Sequence, residues 1–215
     1  MLDEIDAEVR YTSDMTGRDA LDQRVMRALG AVPRDRFVPR DMEAAAFDNG
    51  PLPIGHGQTI SQPFIVALMT DLLALRPEDR VLEIGTGCGY QTAILSRLCS
   101  RVYSVELIAG LREEAAARLT ELGYDNVETR TGNGYEGWPE HAPYDAIMVT
   151  AAAPYLPQPL LEQLKPGGRM AIPVGLPYSH QELLLVEKDA AGTVTSRPVL
   201  AVAFVPLVDG TRATH

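Results

Sequence analysis

The sequence predicts an α/β fold: a central, mostly parallel sheet with helices on both faces, preceded by an N-terminal helical cap. Three observations carry this. After residue 77, short apolar runs alternate with helical segments, the pattern of a parallel sheet covered on both sides. The glycine-rich stretch Gly85-Thr86-Gly87-Cys88-Gly89 joins the first such run to its helix. The first 77 residues lack the alternation and carry a helical stripe and a Gly/Pro-rich segment instead. The 215 residues suit one domain, with 1–77 as the cap and 78–215 as the α/β core.

In chain order, residues 19–29 place Leu21, Val25, Ala28 and Leu29 on one helical stripe. Residues 33–39 form a Pro-bounded connection, and 49–59 (NGPLPIGHGQT) read as a loop. Ser61 is placed to cap a helix running to Leu75, with Pro63 in its first turn, where a missing N–H costs little. Strands are expected at 80–84, 101–105, 127–131, 145–150 and 169–173. Helices are expected at 90–98, 108–122 and 156–164, the second ended by Gly123 and the third by Pro166-Gly167-Gly168. Residues 182–188 and 198–205 read as an antiparallel pair around an Ala191-Gly192 turn.

Composition narrows the function classes. Hydrophobic residues make up 46% and charged residues 22%, as expected of a chain with a real core. The formal net charge is −10, from 29 acidic and 19 basic residues, and no Lys/Arg cluster offers a phosphate-neutralising face. A nucleic-acid partner is not expected. No apolar run reaches the roughly 18 to 20 residues that span a bilayer. The acidic start Met1-Leu2-Asp3-Glu4-Ile5-Asp6 does not resemble a secretory signal, so the expected compartment is the cytosol. Cys88 and Cys99, and His56, His141, His180 and His215, fall in no metal-ligand spacing, so no metal is expected.

The glycine stretch carries the cofactor argument. Glycines at a strand end let the backbone turn sharply and let a ligand approach the main chain. A dinucleotide fingerprint is G-x-G-x-x-G; here the third glycine falls one residue early, and Glu83 stands two places before the first. This E-x-G-x-G-x-G form is similar to the first motif of Rossmann-like methyltransferases, whose ligand is S-adenosyl-L-methionine (SAM). SAM has no pyrophosphate to clamp, and no Lys or Arg stands nearby. Glu106, 21 residues after Gly85, can accept hydrogen bonds from both ribose hydroxyls, a role shared by NAD and SAM folds.

Further stretches carry a family resemblance. They are Gly57-Gln58-Thr59-Ile60-Ser61-Gln62-Pro63, Gly132-Asn133-Gly134-Tyr135, Tyr144-Asp145-Ala146-Ile147, Thr150-Ala151-Ala152, Leu164-Lys165-Pro166-Gly167-Gly168-Arg169 and Phe204-Val205-Pro206-Leu207. Together they span about residues 30 to 208, and the G-Q-T-I-S-Q-P segment is the specific one. The chain resembles the protein-L-isoaspartate(D-aspartate) O-methyltransferases. The implied fold is that of a Rossmann-like class I SAM-dependent methyltransferase. The implied reaction moves a methyl group from SAM to the free α-carboxylate of an L-isoaspartyl residue in damaged proteins and peptides, leaving S-adenosyl-L-homocysteine. The ester then cyclises to a succinimide, and hydrolysis returns part of it to aspartate. A monomer is expected.

The resemblance also implies residue roles. Ser61 is the catalytic-site serine, and Gln58, Thr59, Ile60 and Ser61 border both the SAM and the substrate pockets. Ile54 joins Thr59 and Ser61 on the substrate side. Glu83, Gly85, Thr86, Gly87, Cys88 and Gly89 lie at the cofactor, the loop around its methionine part. Glu106 and Leu107 sit at the ribose, and Asn133 and Gly134 at the adenine. A carboxylate has an ordinary pKa near 4 and is already an anion at neutral pH, so no general base is needed. Alignment of the reacting groups is the main task, worth about 7 to 11 kcal/mol in favourable cases. Ser61 is therefore read as an orienting donor, a helix N-cap, or both. With no His or Asp at triad positions, a serine hydrolase is not expected. Asn133 stands where the family usually has Asp. That change keeps open two alternatives: methylation of aspartate in a dedicated partner peptide, and SAM binding without catalysis.

Overall fold

The structure, a computed structural model, describes residues 1–177 and 179–210, so His215 lies outside the described residues. Seven strands form one sheet: β3 (Arg80–Ile84), β4 (Arg101–Glu106), β5 (Val127–Thr131), β6 (Tyr144–Val149), β7 (Leu164–Gly175), β8 (Gln181–Lys188) and β9 (Val194–Val202). Their order is β5-β4-β3-β6-β7-β8-β9. The pairs from β5 to β7 are parallel, and β7-β8-β9 continue antiparallel to the sheet edge. The order reverses beside β3, which is where the glycine loop leaves the sheet. That is the switch point at which open α/β sheets bind ligands.

The central strands β3, β4, β6 and β7 are largely apolar on both sides because both faces are covered there. Val81, Val102, Ala146 and Met148 face the cluster that includes Phe64, Leu68, Ile94 and the cap residues Ile5, Val9 and Leu29. Their neighbours Leu82, Ile147, Val149 and Met170 face the cluster containing Tyr103, Tyr144 and Leu160. The covering helices include α4 (Pro63–Leu72), α5 (Tyr90–Ser96), α6 (Ala109–Glu121) and α7 (Gln158–Gln163). Gly123, with φ 79°, follows α6 as the sequence predicts.

The N-terminal third departs most from expectation. Helix α1 (Leu2–Tyr11), which no sequence signal had marked, buries Ile5 and Val9, one turn apart. A short helix α2 (Ser13–Thr16) follows. The helix expected over 19–29 is α3 (Gln23–Ala31), starting later because Asp22 caps it, its carboxylate accepting from the Arg24 N–H at 2.7 Å. The connection 33–39 contains a 3₁₀ turn, Arg34–Phe37.

The expected loop 49–59 is instead a hairpin, β1 (Leu52–Gly55) and β2 (Gln58–Ile60). Gly55, His56 and Gly57 close it with φ of 89°, 52° and 69°. The glycines that suggested a loop are the ones that make its tight turn. Ser61 is not the cap of α4: Gln62 is, with extended backbone (ψ 137°), and Pro63 opens the helix. That helix ends at Leu72 rather than Leu75, and Ala74 is left-handed just beyond it (φ 48°). Helix α7 stops before Pro166, and Pro166-Gly167-Gly168 belong to β7. The last pair is shifted, with β9 at Val194–Val202 rather than 198–205.

Candidate functional site

The loop after β3 is held open by its backbone. Gly85, Gly87 and Gly89 have φ of 94°, 53° and 90°, a region that residues with a Cβ rarely adopt. Gly85 is also crowded: a Cβ there would lie 2.3 Å from Thr150 Oγ1. The Thr150 hydroxyl is in turn hydrogen-bonded to the carbonyls of Ile84 (3.0 Å) and Gly85 (2.8 Å). The ends of β3 and β6 thus clamp the start of the loop.

Glu106, at the end of β4, holds the middle of the loop. One carboxylate oxygen accepts the Gly87 N–H at 2.8 Å and the other the Ile108 N–H at 3.0 Å. A carboxylate has about four acceptor positions, so two remain for a ligand.

A cleft of about 850 Å³, counting its open mouth, runs along this loop. Of the residues singled out by sequence, it brings together Gln58, Thr59, Ile60, Ser61, Gly85, Thr86, Gly87, Cys88, Glu106, Leu107 and Gly134. Glu106 is the charged side chain on this wall, which carries no Lys, Arg or His among the described residues.

Four predicted residues stand elsewhere. Glu83 is fully buried under the loop, with one carboxyl oxygen receiving the Thr92 and Ser104 hydroxyls at 2.5 Å each. Burial pushes its pKa up to about 8; those two hydrogen bonds oppose the shift and the nearby Glu106 adds to it. The Ser104 hydroxyl also lies 2.6 Å from the Thr86 hydroxyl, so Glu83 supports the loop from beneath. Gly89 packs against α6, where a Cβ would meet Leu119 at 3.3 Å. Asn133 turns its side chain inward on its own turn: Oδ1 accepts the Tyr135 N–H at 3.0 Å and Nδ2 donates to Glu136 at 3.2 Å. Ile54 faces a second cavity with Phe37, Leu111 and Arg118, behind Gly87 and Cys88.

Other lining residues were missed. Val66, Tyr90, Gln91 and Ile108 line the cleft, as do Thr150, Ala151 and residues 205–208. Thr150, Ala151 and Val205-Pro206-Leu207 belonged to stretches that carried the resemblance, but only their place in the sheet shows that they face the cleft. Cys88 is buried, and burial pushes its thiol up from its ordinary pKa, so it stays a neutral thiol at pH 7.

Residues 14–212 match the family described as protein-L-isoaspartate(D-aspartate) O-methyltransferase. The chain is 59% identical over 207 residues to protein-L-isoaspartate O-methyltransferase 2 of Polaromonas sp., covering 96% of this chain and 98% of that one. It is 59% identical over 210 residues to the protein of the same name from Syntrophobacter fumaroxidans, covering 98% and 85%. Among solved structures, a protein-L-isoaspartate O-methyltransferase superposes with a TM-score of 0.82 at 29% identity, over 98% of this chain and 67% of that one. A Plasmodium falciparum protein described as a putative protein-L-isoaspartate O-methyltransferase, in complex with S-adenosyl-L-homocysteine, shares the fold with a TM-score of 0.77 at 23% identity, over 95% and 97%.

Proposed function

The chain belongs to the protein-L-isoaspartate(D-aspartate) O-methyltransferase family, and from that premise we propose how its cleft divides the work. The reaction is SAM-dependent methyl transfer to the α-carboxylate of L-isoaspartyl residues in damaged proteins and peptides. One observation carries the residue assignment: a single cleft joins the glycine loop and Glu106 to Thr59 and Ser61.

The lining suits SAM chemically. A wall with a carboxylate and, among the described residues, no basic side chain favours a ligand bearing a cation and lacking phosphate. Gly85 to Gly87 would carry its methionine part, and Glu106 its ribose, through the acceptor positions that the loop leaves over. When bound, SAM supplies an electrophilic methyl group on a sulfonium. The chain's own residues then have to orient the acceptor. Thr59 and Ser61 donate hydrogen bonds to the substrate carboxylate and aim one oxygen at the methyl group. Neutral hydroxyls do this without holding the anion as tightly as a charged partner would. Ile60, Val66 and Val205 exclude water from the same space. Cys88, kept as a neutral thiol, does not compete as methyl acceptor.

Asn133 serves this site indirectly in our reading, by shaping the turn that carries Gly134. A Cβ at Gly134 would fall 2.5 Å from Ile84, so the turn packs closely onto the end of β3. Two finer points belong to the same proposal. One is action as a monomer, as the family resemblance implies. Two free, buried cysteines, Cys88 and Cys99, fit a reducing compartment such as the cytosol.

The test uses labelled SAM and two peptides that differ only in an isoaspartyl or normal aspartyl linkage. Label on the isoaspartyl peptide alone is the expected result. Label on the aspartyl peptide, or on neither peptide while SAM binds, refutes the reading.

A further inference from the structure

We propose that Arg34 is a positioning residue for the methyl acceptor, fixing the main chain of Ser61 and lending the cleft the positive charge that selects a carboxylate. The proposal rests on the isoaspartyl reading of the cleft.

Arg34 is fully buried, the largest side chain of the molecule to be so. Its guanidinium makes no ion pair among the described residues. Nε donates to the Ala46 carbonyl and one terminal nitrogen to the Ser61 carbonyl, each at 2.8 Å. The other terminal nitrogen, Nη1, is buried without a hydrogen-bond partner among the described residues. The group lies over the Tyr90 ring, 4.7 Å from its centroid. Burial pulls its pKa down from the ordinary value, yet a guanidinium stays charged at neutral pH.

A buried cation with no anion is costly, and proteins normally pair it. Backbone carbonyls and an aromatic face are a partial answer. They leave a positive charge directly behind Ser61 and Tyr90, both of which line the cleft. The rest of the molecule works against an anionic substrate. The chain carries a formal net charge of −10, and the cleft wall itself contributes Glu106. An acceptor carboxylate entering there needs a compensating charge that does not bind it face to face. A guanidinium behind the Ser61 peptide meets that need, because its field reaches the carboxylate while the hydroxyls make the contacts. The hydrogen bond to the Ser61 carbonyl adds the geometric half of the role.

The experiment compares two isoaspartyl peptides, one with a free α-carboxylate and one with an α-carboxamide, binding to protein loaded with S-adenosyl-L-homocysteine, whose sulfur is neutral. Wild-type protein is expected to prefer the acid by about tenfold or more. Arg34→Gln, which keeps a donor for a carbonyl, is expected to remove most of that preference. Arg34→Lys is expected to keep it. S-adenosyl-L-homocysteine affinity should stay within about twofold in both variants. A merely structural role would weaken acid and amide alike, and that outcome overturns the proposal. So does an unchanged preference in Arg34→Gln. If Arg34→Gln does not fold, Arg34→Met takes its place as the variant without the charge and is read by the same acid-to-amide preference; equal affinities of wild-type protein for acid and amide overturn the proposal in any case. Failure of wild-type protein to methylate any isoaspartyl peptide refutes the underlying reading. Turnover with an unchanged preference in Arg34→Gln refutes the Arg34 role alone.

Discussion

The two halves of the cleft are built differently. The cofactor half hangs from the ends of β3, β4 and β6, central strands of a seven-stranded sheet, and is clamped by Thr150 and Glu106. The acceptor half is a two-stranded hairpin and the segment after it. A two-stranded hairpin is marginal by itself. Here it is tied to the N-terminal cap by side chains, Arg34 at the Ser61 carbonyl and Glu8 at Gln62, 3.0 Å from its amide nitrogen. The first half draws its geometry from the sheet, and the second borrows it from cap residues that do not line the cleft. Changes in the sheet should therefore strike cofactor binding, and changes in the cap should strike the acceptor.

Four substitutions test that division. Gly85→Val should have the largest effect, because it adds a Cβ where φ is 94° and Thr150 Oγ1 is 2.3 Å away. SAM affinity should fall by about 100-fold or more, equivalent to ~3 kcal/mol, read by calorimetry. Ser61→Ala should lower kcat by about 10- to 100-fold with SAM affinity intact, as loss of an aligning donor predicts. Unchanged turnover in a folded variant would remove Ser61 from the orienting role.

Glu83→Gln sharpens the comparison through pH. The carboxyl is fully buried and its pKa is raised to about 8, so the native state binds a proton that the unfolded chain has released. Stability contributed by the neutral form is complete below the unfolded carboxylate pKa and is lost as pH rises through about 8. Denaturation midpoints of the wild type should thus drop between mildly acidic pH and pH 8, and Glu83→Gln should lack that slope. At pH 7 the variant should bind SAM nearly as the wild type does. The smallest effect belongs to Glu8→Ala. Its carboxylate holds Gln62 and Asn49, and Asn49 in turn accepts the Phe64 N–H at 3.1 Å. Peptide KM should rise about three- to tenfold from loss of these bonds while SAM affinity holds. An equal loss of both would mean that the halves are not separable.

What was legible in the sequence follows the same divide. The strands from Arg80 to Thr131 and the glycine loop could be read directly, because periodicity and turn chemistry are local. Glu106 was found for its ribose position, while its grip on Gly87 appeared only in three dimensions. The cap was largely hidden. Helix α1 has an acidic, weakly apolar sequence and is stabilised by packing Ile5 and Val9 on the rest of the chain. Arg34 lies in the proline-bounded connection and drew no reading from the sequence, because its partner, the Ser61 carbonyl, is 27 residues away. Ile54 could be placed near the loop, but which cavity it faces depends on the hairpin's twist. Asn133 is a different case. A family position implied a ligand contact, and the fold adds that its short polar side chain caps its own turn.

The antiparallel extension of the sheet has a further consequence. A protein that handles damaged chains meets partly unfolded polypeptide with unpaired backbone, and an open strand edge would recruit it by adding a strand. The edge strand β9 is built against this. Pro198 sits in it without an N–H to offer, next to the exposed Arg197, and the register with β8 is interrupted between Leu183 and Leu184. Proline, charge and a bulge are the devices that make an edge a poor template for aggregation. The strand that ends the sheet on this side is therefore a poor template for capture of unpaired backbone.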